Sequence, residues 1–247
     1  KYKKIKNNPY EESNYHQPLM LPPVVCDRMQ YFPSRDTYDI MTYGAKGDGQ
    51  TDDAAAIQRA INACSAAGGG TVIIPAGHTF LCGPLYLKSY VNLHLEPNSR
   101  LLANPDESIY TESAFRENRG EGMMWISGKD LKQISITGTG EIDGNGIAFM
   151  GKELDDSYEL KPVTDFDPRP HVLTLINVEK TVIRDITIRN SAYWTIHLIG
   201  CYDALIDGIS LLNNLKIRNG DGIDVDHSKK GTYKRTASLN RAMTAFA

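Results

Sequence analysis

The sequence predicts an all-β chain wound into a parallel β-helix, with one α-helix closing its N-terminal end. Three observations predict it. Val182–Ile188 and Leu205–Leu211 match at an offset of 23 residues, and all four apolar positions recur as apolar. Short apolar segments with period-two alternation follow one another from residue 71 onward, with no helix between them. Ahead of them, a single window at 53–66 carries helical spacing. Short strands at a constant offset of this size bury their inward side chains on the coils above and below, as solenoids do.

The elements follow in order. Residues 1–36 are polar and contain Pro9, Pro18, Pro22, Pro23 and Pro33, which predicts an extended lead-in draped over the domain. The β-helix domain is expected over 37–228, starting at Tyr38-Asp39-Ile40. Asp48–Asp53 reads as a turn into the helix, with Thr51 or Asp52 as N-cap and acids at the positive end of the helix dipole. Ala56, Ile57, Ala60, Ile61 and Cys64 form the apolar face, and Gly68-Gly69-Gly70 ends the helix. Such a helix plugs the open end of a solenoid, where bare strand edges invite aggregation. Strands are expected at Thr71–Ile74, around Leu85 and Leu87, at Val91–Leu95, Leu101–Leu102, Ile134–Ile136 and Glu141–Asp143. Two polar insertions, 104–122 and 147–170, break this rhythm and are expected as loops on one face, either a binding face or plain surface. Residues 229–247 are expected to form an atypical basic tail. They hold five basic residues and no acid, and Leu239, Met243 and Phe246 stand at helical spacing.

A chain of 247 residues is long enough for one large domain with a substantial core. Its 27 basic and 30 acidic residues leave a net charge of -3, which supplies no electrostatic reason to expect nucleic acid as a partner. No apolar run reaches the roughly 20 residues that span a bilayer, so no membrane partner is expected either. The first residue is Lys1, with no signal peptide visible after it, which suggests a processed or trimmed N-terminus. Cys26, Cys64, Cys82 and Cys201 are scattered without a CxxC pair, which argues against a zinc site and for mostly free, buried thiols.

Chemistry concentrates in Asn219-Gly220-Asp221-Gly222-Ile223-Asp224-Val225-Asp226. Asn, Gly and Asp are turn formers, so one reading is a tight turn between coils. The other is a site. If Ile223 and Val225 point inward, Asp224 and Asp226 project outward together, just after Asp221, and glycosidases need paired carboxyl groups. His197 is a strand residue near such a cleft, structural or in contact with substrate. Trp125, Tyr193 and Trp194 either stack on sugar rings or pack in the core. His227 has no second ligand at metal-like spacing, so no metal is expected.

From Tyr38 to about residue 228 the chain resembles the polygalacturonase family, family 28 of the glycoside hydrolases. The likeness rests on Tyr43-Gly44-Ala45-Lys46-Gly47-Asp48-Gly49-Gln50-Thr51-Asp52-Asp53, Gly68-Gly69-Gly70-Thr71-Val72, Pro75-Ala76-Gly77 and Ile142-Asp143-Gly144-Asn145-Gly146. Arg169-Pro170, Asn190–His197 and Asn219-x-Asp221-Gly222-Ile223-Asp224 complete it, and the last motif is the most specific. The resemblance implies a right-handed β-helix, no cofactor, a secreted or periplasmic protein, and inverting hydrolysis of pectic, galacturonan-like polysaccharide. It places Asp221 on the water-activating side, with Asn219 supporting the site. Asp224, His197, Arg169 and Trp194 are then the expected substrate contacts, Arg169 through a uronate carboxylate.

The family also supplies an Asp-Asp pair about one coil later, then Gly-His-Gly and Arg-Ile-Lys. This chain has none of them, and one coil of 23 residues beyond Asp221 lands on Thr244. The expectation is a truncated β-helix, inactive by itself, with a tail foreign to the fold and an exposed end that is capped by the tail or makes a homo-oligomer. Two other readings are a non-catalytic β-helix for polysaccharide binding or assembly, and a lyase of similar architecture.

Overall fold

The computed structural model of the chain describes residues 36–115, 121–154, 158–163, 168–239 and 244–245. The expected lead-in, but for Asp36, and parts of both insertions lie outside them. Three parallel sheets, of seven, seven and six strands, carry the fold. Each full coil supplies one strand to each sheet in the same order. One coil runs Ile196–Ile199 in the third sheet, Tyr202–Asp207 in the first and Ser210–Leu212 in the second. Ile223–Asp226 then opens the next coil, back in the third sheet. The 23-residue offset seen in the sequence is the register itself: Val182 pairs with Leu205 and Ile188 with Leu211.

Apolar columns explain why these segments are strands. Val72, Leu93, Ile136, Ile183 and Ile206 stack in the first sheet. Phe80, Leu101, Ile142, Ile188 and Leu211 stack in the second, and Leu85, Ile126, Leu173, Ile196 and Ile223 in the third. All fifteen are buried. Each such side chain contributes about 1.5–3 kcal/mol of burial, so the columns outweigh the loss of any one surface contact.

The corners repeat as well. Left-handed backbone recurs at Asp130, Gln133 and Gly138, then at Asn177, Lys180 and Asp185. It recurs again at Gly200, Asp203 and Gly208, and at His227, Lys230 and Arg235. The spacing within each set is three and then five residues, so these four coils turn at equivalent points. Gly208, at φ 68°, illustrates the constraint, because an added Cβ would stand 2.5 Å from Asp185 Oδ1.

Helix α1 spans Ala54–Ala66 and buries Ala56, Ile57, Ala60, Ile61 and Cys64 against the first coils. It starts one residue later than expected. Asp52 Oδ1 accepts from Ala54 N–H, while the Asp53 carboxylate turns back to accept from Lys46 and Gly47 N–H. Asp48–Asp52 is a strand rather than a turn, paired with Thr79–Cys82. Cys64, Cys82 and Cys201 are free and buried. No described helix is long and apolar enough to cross a membrane.

Beyond residue 228 the described residues form strands, Leu239 included, where helical spacing was expected; Met243 and Phe246 lie outside the described residues. Thr232–Lys234 pairs in parallel with the first sheet, Ala237–Leu239 with the second and Thr244–Ala245 with the third. His227, Lys230 and Arg235 take the same three corner positions as Gly200, Asp203 and Gly208. The residue types hide this coil, because Lys, Arg and His replace the Gly, Asn and Asp that usually mark a left-handed corner.

Candidate active site

Both insertions leave the solenoid at one corner, between a second-sheet strand and the next third-sheet strand. The turns 190–195 and 213–222 occupy the same corner one and two coils further on. The candidate site lies where this corner meets the outer face of the third sheet.

Asn213 ties the last two turns together. Buried, it accepts from Ser191 N–H at 2.9 Å and donates to Thr195 Oγ1 at 2.6 Å and to the Gly220 carbonyl at 3.3 Å. Thr195 N–H donates to the Asp221 carbonyl at 2.9 Å, and Ile196 N–H to that of Gly222 at 3.1 Å. Asn219 stands in the left-handed region at φ 59°, which Asn tolerates better than most residues. The Asn-Gly-Asp-Gly run is therefore a tight turn, and it also holds Asp221 at a fixed point on the corner. The two readings of this stretch are compatible.

Ile223 is buried and Val225 packs against the core, while Asp224 and Asp226 line one outer cavity, as their alternation predicts. The cavity measures about 340 Å³, and Phe115, Trp194, His197 and Ile199 form its other walls. His197 and Asp224 are register partners on adjacent strands. Asp224 Oδ2, His197 Nδ1 and Trp194 Nε1 are buried without a hydrogen-bond partner among the described residues. Burial first, and the Asp221 charge second, push the Asp224 carboxyl up to about 7. Burial holds His197 down to about 4 against the opposing pull of Asp226, so its imidazole is neutral at pH 7. A largely apolar cavity with a protonatable carboxyl, a neutral imidazole and an indole suits a sugar ring, whose faces are apolar and whose edge carries hydroxyls.

Beneath it lies an aromatic layer that the sequence reading missed. His171 is fully buried and stacks on Tyr193 at 5.1 Å with rings 6° from parallel. Phe115 meets His171 and Trp194 edge-on. Burial, then His197 and Arg169, hold His171 well below the ordinary imidazole range, so it stays neutral. His171 follows directly on Arg169-Pro170, but only the third-sheet register brings it beside Trp194 and His197. Phe115 belongs to an insertion whose path no periodicity reveals.

The expected contact between Arg169 and a uronate is corrected. Its side chain is 1% exposed, its Nη1 donates to the carbonyls of Ala192 and Arg218, and its guanidinium lies 4.9 Å from the Tyr193 ring centre. It braces the corner from inside. Trp125 is likewise a core residue, donating from Nε1 to the Gly83 carbonyl at 3.0 Å. His227 occupies a corner and pairs with Asp226.

The right-handed parallel β-helix is a fold shared with solved structures of other proteins. The Yersinia enterocolitica family 28 exopolygalacturonase superposes with a TM-score of 0.69 at 24% identity, covering 82% of this chain and 43% of that one. The family model of glycosyl hydrolases family 28 matches residues 64–238, and the chain belongs to that family. Over 204 residues it is 30% identical to an exopolygalacturonase of Zea mays, covering 81% of this chain and 46% of the relative. An exo-poly-alpha-D-galacturonosidase of Dickeya chrysanthemi is 28% identical over 234 residues, covering 77% and 38%. The chain thus spans less than half the length of these curated relatives.

Proposed function

We propose that this chain binds pectic galacturonan at the third-sheet corner and carries the water-activating half of an inverting glycoside hydrolase site. Asp221 is the base, the Asn219 turn fixes it in place, and Trp194, His197 and Asp224 contact the sugar. The observation that carries this reading is the cavity at Asp224, His197 and Trp194 immediately beside the Asp221 turn. Family membership and the names of the relatives support it.

Hydrolysis by this chain alone is expected to be absent or very slow. Inversion needs an acid and a base on opposite faces of the scissile bond, with carboxyls roughly 6.5–9.5 Å apart. Asp221 and Asp224 belong to one turn-and-strand unit, three residues apart in the chain. The residue stacked on Asp224 in the next coil is Thr244, which has no proton of suitable acidity. Missing general acid assistance typically costs 10²–10⁴-fold in rate. Reducing-end release from polygalacturonate, measured beside calorimetric titration with oligogalacturonides, tests both statements. Binding without turnover is the expected result. Turnover at ordinary hydrolase rates would sink the half-site reading, and absence of binding would sink the galacturonan reading.

A secreted or periplasmic location accords with a pectic substrate, and fractionation of the source cells tests it. Homo-oligomerisation is the remaining element of this reading. Thr232–Lys234 and Ala237–Leu239 pair on one side only among the described residues, and such edges recruit further strands. Elution as a monomer across a wide concentration range would exclude it.

A further inference from the structure

We propose that a second cavity on the same sheet face is an anion-selective subsite for a uronate ring of the polymer, distant from the Asp221 corner. It rests on the galacturonan reading and adds where the negative charges of the polymer are recognised. Two outward columns run along the third sheet. One holds Tyr86, Ser127, Thr174, His197 and Asp224, and the other Lys129, Ile176, Ile199 and Asp226. The cavity already described lies at the Asp224 and Asp226 end.

At the other end a cavity of about 170 Å³ is lined by Tyr86, Lys88, Glu112, Ser127, Lys129 and Ile176. Leu87 N–H donates to the Ser127 carbonyl at 2.7 Å, which continues the pairing and brings Lys88 level with Lys129 one coil on. Both lysines are exposed, and neither forms an ion pair with a described residue. Glu112 is the acid among the lining residues, and it engages the Tyr86 hydroxyl. Tyr86 is 39% exposed and offers part of its ring.

The face is therefore polarised. Two ammonium groups without an ion-pair partner among the described residues stand at one end, and Asp224 and Asp226 at the other, Lys129 three strand spacings or roughly 14 Å from them and Lys88 four or roughly 19 Å. The first insertion borders both cavities, through Glu112 at one and Phe115 at the other. A polymer lying parallel to the solenoid axis reaches both. A polyuronate presents a carboxylate on every ring, so one near Lys88 and Lys129 gains charge-assisted hydrogen bonds that a neutral or esterified ring lacks. The aromatic edge of Tyr86 supplies the apolar contact beside them.

The test is calorimetric titration of the full chain with a long oligogalacturonide and with its methyl ester, using wild type and the double variant Lys88→Gln/Lys129→Gln. Wild type is expected to bind the free acid about tenfold more tightly than the ester. The double variant is expected to lose that preference while its affinity for the ester stays the same. Both lysines are exposed, and an unchanged melting temperature verifies the fold of the variant. A preference that survives the double substitution overturns the subsite while leaving galacturonan binding intact. Equal binding of acid and ester by wild type does the same. Failure of wild type to bind either ligand overturns the subsite and the galacturonan reading together.

Discussion

Asp224 titrates near neutrality because it is buried on the outer face of a strand and because Asp221 adds a like charge beside it. Its folded pKa lies above the ordinary 3.8, so the folded state holds the proton more tightly than the unfolded one. That contribution is present at low pH and fades as pH rises from about 4 through 7. Replacing it by Asn removes the charged form. Thermal melts of Asp224→Asn are therefore expected to exceed wild type at pH 8 and to approach it at pH 5. Equal melting temperatures at pH 8 would refute the burial account. His197 has the opposite sign. Its folded pKa falls to about 4 from 6.5, so its contribution is present above 6.5 and is lost as pH drops towards 4. His197→Gln is expected to flatten the loss of stability in that window, measured by the same melts. The turn that carries Asp221 was legible as a motif, but the perturbation of Asp224 depends on neighbours that no local pattern reveals.

At the scale of elements, the corner is held by buried side chains. Asn213 spans the 190–195 and 213–222 turns. Asn213→Ala leaves a buried Ser191 N–H and the Gly220 carbonyl without that partner, which costs about 1–3 kcal/mol. Denaturant unfolding measures the loss, and oligogalacturonide affinity is expected to fall with it, because the Asp221 turn loosens. The strand corners obey a different constraint. Gly208→Ala meets both a left-handed φ and Asp185 Oδ1 at 2.5 Å, and at least about 1–2 kcal/mol is the expected cost. A variant as stable as wild type would show that the corner shifts freely. Both residue types were readable as turn formers, but which turn pairs with which follows from the register.

For the whole molecule, stability runs along the solenoid in nearly one dimension, each coil resting on its neighbours. The coil at 232–239 pairs with one described coil, while 179–184 and 202–207 are paired on both sides. Asp207 links three coils, with Arg235 Nε at 2.8 Å from above and Arg184 Nε at 4.0 Å from below. Arg235 is 70% exposed, so solvent screening leaves the pair a weak tie. Hydrogen exchange is expected to be fastest in 232–239, and Arg235→Gln is expected to speed it there while leaving the central coils unchanged. Uniform protection along the chain would contradict a one-dimensional build.

The sequence by itself determined the solenoid. Apolar residues spaced at two within strands and at 23 between them leave no other way to bury both. It also marked the turn at Asn219–Gly222, because a turn-forming motif is local and can be read locally. The last coil escaped because its pairing is set by stacking on the coil below, which accepts Lys and Arg at corners where composition alone suggests a loose tail. Only the tertiary structure decided which side chains share a cavity. Arg169 went inside to brace the corner, while His171, Phe115 and Asn213 entered the site from segments 42 to 98 residues apart in sequence. The physical reason is that strand register and chain reversal bring such residues together, and neither is encoded in the neighbourhood of any one of them.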